Sequence, residues 1–239
     1  MKVLFLAHQD DEIFFLPHIM DSDKKLFVYL TNGVSAGATK SKLGRRTIEA
    51  ELIFEKYLAP LNSQAIWWGL ENSIPEGELH RYVSQNLIND LKKIITGQGF
   101  EVAALITTAF EGAHQDHDSA AVIARKMSNS LQIDTIEMST YPQWFSRIYS
   151  FKVLKPRIPM DSYKFNRFKA LIMAVRMMAG YRTQFRTWLG LGPATLITYI
   201  FRTYKSSAPR PLASIKPCFY ESRGRASQTE VLRSLWQLE

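Results

Sequence analysis

Through the first 140 residues, short apolar runs alternate with longer stretches whose apolar positions recur at helical spacing. Residues 3–7 are continuously apolar, as in a strand buried on both faces, and a helical stretch comes next over 11–20. A second strand is expected over 26–31, ending at the turn dipeptide Asn32-Gly33. The next helix, 42–58, carries Ile48, Leu52, Ile53 and Tyr57 at helical spacing. Residues 64–68 read as a third strand, and 79–96 as a helix with Val83, Leu87, Ile88, Leu91 and Ile95 on one face. A fourth strand over 102–107, a helix over 118–131 and a fifth strand over 135–139 complete the series. Parallel neighbours need such crossover helices. The β-α-β-α order therefore predicts an α/β fold, a mostly parallel sheet with helices on both faces.

The remaining residues break this rhythm. Residues 164–186 read as helical, basic and rich in Met, with Phe165, Phe168, Leu171, Ile172, Val175 and Met178 as apolar positions. Pro209, Pro211 and Pro217 punctuate the chain further on. With no strand alternation of its own and little core, 146–239 is expected to be a helical elaboration packed near the active face of a 1–145 core. A single domain over 1–239 is the expectation. The uncharged stretch 187–201 contains Gly190, Gly192 and Pro193 and is poorly suited to span a bilayer. The apolar run at the start is too short for a signal-peptide core, so a cytoplasmic protein is expected.

Composition narrows the chemistry. Hydrophobic residues at 46% and charged residues at 22% are globular usage, which excludes a chiefly disordered or coiled-coil chain. The single cysteine, Cys218, excludes a disulfide framework and a thiolate-rich zinc site, so a metal would be held by His, Asp and Glu. Thirty Lys+Arg against 22 Asp+Glu leave a net charge of +8. That balance suits nucleic acid, an anionic membrane or a phosphorylated substrate and selects none of them. Lys164, Arg167, Lys169, Arg176, Arg182 and Arg186 supply a basic patch in the elaboration. No nucleic-acid-binding motif accompanies them and nucleic acid is not expected as a partner, whereas peripheral contact with an anionic membrane is compatible with them. A homo-oligomer is left open.

Three of the five histidines fall in two short acidic segments, each after a predicted strand. The first is Ala7-His8-Gln9-Asp10-Asp11-Glu12; the second is Gly112-Ala113-His114-Gln115-Asp116-His117-Asp118. Loops at the carboxyl ends of strands build the ligand site of an open α/β sheet, so these two can meet. Three His/carboxylate ligands with a fourth position left to water make a catalytic zinc site. His8, Asp11 and His117 fit the ligand role, Asp10 and His114 fit acid–base work, and Asp116 could orient His114 by a hydrogen bond. Helix capping by Asp11 or Asp118 is the plain alternative, and the pairing of both segments favours the metal.

These residues resemble a known family. Ala7-His8-Gln9-Asp10-Asp11-Glu12 is similar to the Ala-His-Pro-Asp-Asp-Glu signature of the zinc-dependent PIG-L/LmbE-type deacetylases, and His114-Gln115-Asp116-His117 to that family's His-x-Asp-His motif. Thr31-Asn32-Gly33, Arg46-Thr47-Ile48-Glu49 and Pro75-Glu76-Gly77 occur in the family's order, so the resemblance covers about the first 145 residues. It implies a Rossmann-like three-layer sandwich and removal of the N-acetyl group from an amino sugar of GlcNAc type, free or carrier-linked. It further implies His8, Asp11 and His117 as ligands of Zn(2+), with Fe(2+) as the other candidate. Asp10 becomes the general base toward a metal-bound water, and His114, held by Asp116, the group that stabilises the tetrahedral intermediate or protonates the amine. An amidase acting on another small amide, such as a thiol conjugate, uses the same site. Gln9 departs from the signature, standing where proline would pre-set the loop.

Other residues carry weaker expectations. Arg46 matches a position that can reach a substrate hydroxyl or phosphate, against pairing with Glu49 or Glu51 on its own helix. Glu111, just before the second motif, is a candidate for binding a sugar hydroxyl. Trp67 and Trp68 are expected to end a strand with a core role, stacking of one on a sugar face being the alternative, and Tyr181 and Gln184 are expected to serve packing rather than to approach the cleft. His18 and His80 read as ordinary surface or helix residues, and Cys218 as a free buried thiol. The positive charge is read as attraction for an anionic carrier of the sugar.

Overall fold

The computed structural model of the chain describes residues 1–138, 140, 161–162, 166–201, 205–207, 220 and 224–236. Five strands, β1 (Lys2–Leu6), β2 (Lys25–Tyr29), β3 (Ser63–Ile66), β4 (Ala104–Thr108) and β5 (Thr135–Met138), pair in parallel. Two short strands from the elaboration, β6 (Asp161–Ser162) and β7 (Lys205–Ser207), extend the β5 edge in antiparallel sense. The order is β3-β2-β1-β4-β5-β7-β6. The part of the chain read as a helical elaboration without strand alternation thus also adds two short strands; runs this short leave no alternation to read.

Side chains of β1 and its neighbours point alternately to two cores. Leu4, Leu6, Phe27, Tyr29 and Ile106 face one layer, formed by α2 (Lys40–Ile53) and α6 (Arg167–Gly180) together with α1 (Leu16–Ile19). Val3, Phe5, Leu26, Val28 and Leu105 face the other, formed by α4 (Gln85–Thr96) and α5 (Gln115–Leu131), with α3 (Trp68–Glu71) at its margin. The expected α/β three-layer arrangement is present. Leu87, Ile88, Leu91 and Ile95 are all buried, as the spacing of α4 predicts. Ser84 starts this helix by accepting from the Leu87 N–H.

Helix α2 is where the pattern misleads. Ile48 and Leu52 are exposed, and the buried face is Arg46, Ala50 and Ile53. A buried arginine inverts the polarity that periodicity relies on. Beyond Ile53 the helix widens over Phe54–Leu58, so that the Ala59 N–H reaches the Phe54 carbonyl. Helix α6 ends at Tyr181, and α7 (Phe185–Phe201) turns back against it. Helix α8 (Gln228–Trp236) packs beside α5. Among the described residues no helix is long and apolar enough to cross a membrane. Cys218 and Phe165 lie outside the described residues.

Two local expectations change. His18 lies in α1 and His80 in a short 3-10 turn, in line with a helix reading, and both are buried rather than at the surface. Trp67 comes just after the end of β3 and stacks flat on Tyr29 at 4.4 Å between ring centroids, while Trp68 opens α3.

Candidate active site

The chain leaves β1 for β2 on one side, whereas β4 and β5 lie on the other. The boundary between β1 and β4 is therefore the switch point of the sheet, where the loops after both strands diverge and leave a crevice. The two histidine segments are those loops. The Thr31 hydroxyl donates to the Ala7 carbonyl at 2.7 Å, tying the first segment to the end of β2. Gly33, at φ +71°, lies so close to Gln9 that a Cβ there would fall 2.1 Å from the glutamine Oε1. Gln9 is fully buried, and neither of its amide atoms has a hydrogen-bond partner among the described residues.

Within the crevice His8, Asp11 and His117 converge. One donor atom from each lies within 4.8 Å of the others, and all three residues are buried. His117 Nε2 is 3.1 Å from Asp11 Oδ1, and His8 Nδ1 is 3.6 Å from Asp11 Oδ2. The far ring nitrogens are also held: His8 Nε2 is 3.0 Å from Asp116 Oδ2, and His117 Nδ1 is 3.3 Å from the Thr140 hydroxyl. Such outer partners fix which nitrogen of each ring faces the centre.

The electrostatics of the cluster favour a cation. Burial alone would lower the His8 pKa, yet Asp11, Asp116 and Glu76 raise it well above the usual imidazole range. Burial likewise opposes ionisation of Asp11, but His117 and His8 hold its pKa well below the carboxylate range. His114 is driven the other way. Burial first, then the charge of His8, lower its pKa far enough to keep it neutral. Its Nδ1 accepts from the Asp116 N–H at 3.2 Å, which leaves the proton of the neutral ring on Nε2.

Asp10 lines the same crevice and is held by Arg46, whose Nη2 donates to Asp10 Oδ1 at 2.8 Å. Arg46 is fully buried, its guanidinium 4.9 Å from the Tyr181 ring. Tyr181 in turn donates to Glu12, the last residue of the first segment. Pairing of Arg46 with Glu49 does not occur; Glu49 accepts from the Thr183 N–H at 3.0 Å. The turn between α6 and α7 is thereby fastened to the active-site loop and to α2.

Two expected roles are redistributed by the structure. The Asp116 carboxylate lies on His8, not on His114, and accepts from the N–H groups of Gly77 and Leu79 at 2.5 and 3.1 Å. Only its backbone meets His114, because the carboxylate is committed to the loop after α3. The Glu111 carboxylate accepts from the Thr140 N–H at 2.8 Å, so it sits behind His117 rather than free toward a sugar. Asp118 gathers the Glu111 and Gly112 N–H groups, and burial pushes its pKa up to about 7.

A cavity of about 80 Å³ opens over these groups, lined by His8, Asp10, Glu76, His114, Gln184 and Trp188, among others. Glu76 was not expected here. It comes from the Pro75-Glu76-Gly77 turn, and with His8 and His114 it forms a second group of converging donors. Burial, then like charge from Asp10 and Asp116, raises its pKa. Its position in a loop beyond β3 at the carboxyl edge of the sheet was the available signal.

Fold and site together define an α/β enzyme with a buried His/Asp group able to hold a metal at its switch point. The family model described as PIG-L, GlcNAc-PI de-N-acetylase, matches residues 3–128, more than half of the chain; the chain belongs to this family and is an enzyme of the deacetylase class. Solved structures agree on the fold. The A40926 pseudoaglycone deacetylase Dbv21 superposes with a TM-score of 0.63 at 14% identity, covering 90% of this chain and 98% of its own. N,N'-diacetylchitobiose deacetylase from Pyrococcus horikoshii gives 0.57 at 17% identity, with 92% and 88% covered. The zinc-inhibited form of teicoplanin deacetylase Orf2 gives 0.59 at 13% identity, with 90% and 100% covered. No curated protein matches this sequence at a significant level.

Proposed function

We propose that the chain, read as one deacetylase domain, is a zinc-dependent hydrolase that removes the N-acetyl group from a GlcNAc-type amino sugar. The observation that carries this reading is the convergence of His8, Asp11 and His117 within 4.8 Å, beside Asp10 and His114. Two imidazoles and a carboxylate suit zinc, and ferrous iron as the second candidate. Of the two donor groups that share His8, the one with Asp11 and His117 is preferred. It is wholly buried, and both of its imidazoles are held from behind.

Zinc bound there supplies a Lewis acid that polarises an acetamide carbonyl and brings the pKa of water toward neutrality. The chain's own groups do the rest. Asp10, fixed by Arg46, accepts the proton from the attacking water and later delivers it to the departing amine. Neutral His114 offers its Nε2–H to the carbonyl oxygen as negative charge develops on it. Glu76, at the cavity wall with a raised pKa, is suited to bonding a sugar hydroxyl. The family's description, GlcNAc-PI de-N-acetylase, and the net charge of +8 both favour a substrate on an anionic carrier. Metal analysis of the purified protein, run beside acetate release from a panel of N-acetylated sugars, tests the proposal. Zinc with acetate release is expected; a metal-free protein at full rate, or release of other acids only, contradicts it.

A further inference from the structure

Helix α6 is apolar on two opposite faces. Ala170, Met173, Ala174 and Met177 point into the core, as a surface helix requires. Phe168, Ile172, Val175 and Ala179 form a second stripe at spacings of four, three and four residues, and all are exposed, Phe168 by 72%. Helix α7 continues this face with Phe185, 62% exposed, and Leu189, 61% exposed. Water is a poor solvent for these exposed apolar side chains, and several of them on two packed helices mark an interaction site.

Charge says what covers it. Between Ser162 and Tyr220 the sequence has ten Lys+Arg and no Asp or Glu. Arg167, Lys169, Arg176, Arg182 and Arg186 are exposed around the stripe. A second copy would bring the same charge to this face, and the chain's own segments 139–160 and 208–219 carry Lys and Arg without acids. Nucleic acid would satisfy the arginines and leave the aliphatic stripe without a partner. An anionic lipid surface satisfies both, with apolar side chains below the headgroups and arginines among them.

We propose that the outer face of α6 and α7 is a docking surface for an anionic membrane. The active site stands directly behind it. Gln184, in the turn before α7, and Thr187, Trp188 and Leu191 on α7 line the catalytic cavity, which places it within about one helix diameter, ~10 Å, of Phe185 and Leu189 on the same helix. Tyr181–Glu12 and Thr183–Glu49 fasten this helix turn to the catalytic loop and α2. A docked chain therefore holds its cavity next to the headgroup layer, where a lipid-linked sugar would stand. That last point rests on the deacetylase reading; the docking itself does not.

The test is co-sedimentation of the full chain with vesicles of phosphatidylcholine alone or with phosphatidylglycerol, at low and high salt. Binding is expected only with phosphatidylglycerol and only at low salt. R176Q/R182Q/R186Q should weaken it on the order of a hundredfold, at roughly fivefold per basic residue. F185S/L189S should weaken it about tenfold or more, while releasing acetate from a soluble substrate at the wild-type rate. All five positions are exposed, so these variants should fold. Failure to sediment, equal binding to phosphatidylcholine alone, wild-type binding by either variant, or equally tight binding to an oligonucleotide overturns the proposal. A dimer dispersed by F185S/L189S overturns it in favour of a second copy. Vesicle binding without acetate release from any substrate would refute the deacetylase reading and leave this surface standing.

Discussion

Asp116→Asn separates two roles that the sequence could not distinguish. In the structure Asp116 Oδ2 meets both His8 Nε2 and the Gly77 N–H, while Oδ1 accepts from the Leu79 N–H. Asparagine keeps the shape but replaces one oxygen by a donor, so either amide orientation turns an NH2 group toward a buried N–H. One unsatisfied buried donor costs about 1–3 kcal/mol. The electrostatics give a similar figure. Burial would raise the Asp116 pKa, but the hydrogen bond and charge of His8 and the Gly77 N–H bring it down to about 2. Against its ordinary value of 3.8 this corresponds to roughly 2 kcal/mol of stability at neutral pH. The contribution is full above pH 3.8 and lost as pH falls through that value toward 2, because the unfolded chain binds the proton first. Freed from its carboxylate, His8 should lose about 10–100-fold in metal affinity, the usual cost of removing an outer-shell partner. The assay is zinc affinity by chelator competition, together with the melting temperature of the metal-free protein. Unchanged zinc affinity with a fall in kcat alone would refute the reasoning, and would return Asp116 to His114.

Asp10→Asn should fold, bind zinc as the wild type does and lose nearly all turnover; retention of the wild-type rate would remove Asp10 from the mechanism. Gln9→Met removes two buried amide atoms that have no partner among the described residues, at nearly constant shape, and should stabilise the protein by about 1–2 kcal/mol, read as a rise in urea midpoint with unchanged slope. An unaltered midpoint would mean that the amide is solvated in the native state. His18, lowered to about 4 by burial and the charge of Lys2 against Asp21, should make the protein less stable as pH falls from 6.5 toward 4. The loss should reach about 3 kcal/mol, since the unfolded imidazole protonates first; His18→Gln should flatten the slope over that window.

The sheet was legible because its central strands β1, β2 and β4 are buried on both faces, and continuous apolar runs such as residues 3–7 survive any uncertainty of register. Helix α4 was legible for a similar reason, with one clean apolar face. Helix α2 was not. Its core-facing side carries Arg46 beside Ile53 while Ile48 and Leu52 face outward, so the hydrophobic pattern located only part of the buried face. At the site, residue types and strand-end placement grouped His8, Asp11 and His117 as they are grouped in space. Partners could not be read. Asp116 and His114 are two residues apart, and that proximity suggested a bond between side chains which the demands of Gly77, Leu79 and His8 override. Thr140 behind His117, and Glu76 across the cavity, belong to loops whose approach depends on the whole fold.

The central claim is that His8, Asp11 and His117 hold the metal on which deacetylation depends. It is tested most directly by acetate release from an N-acetylglucosaminyl substrate as zinc is returned to metal-stripped protein. Activity rising in proportion to zinc up to a single ion per chain, and absent at every level of zinc in His117→Ala, is the predicted result. Full activity in the stripped protein, or undiminished activity in His117→Ala, would contradict it.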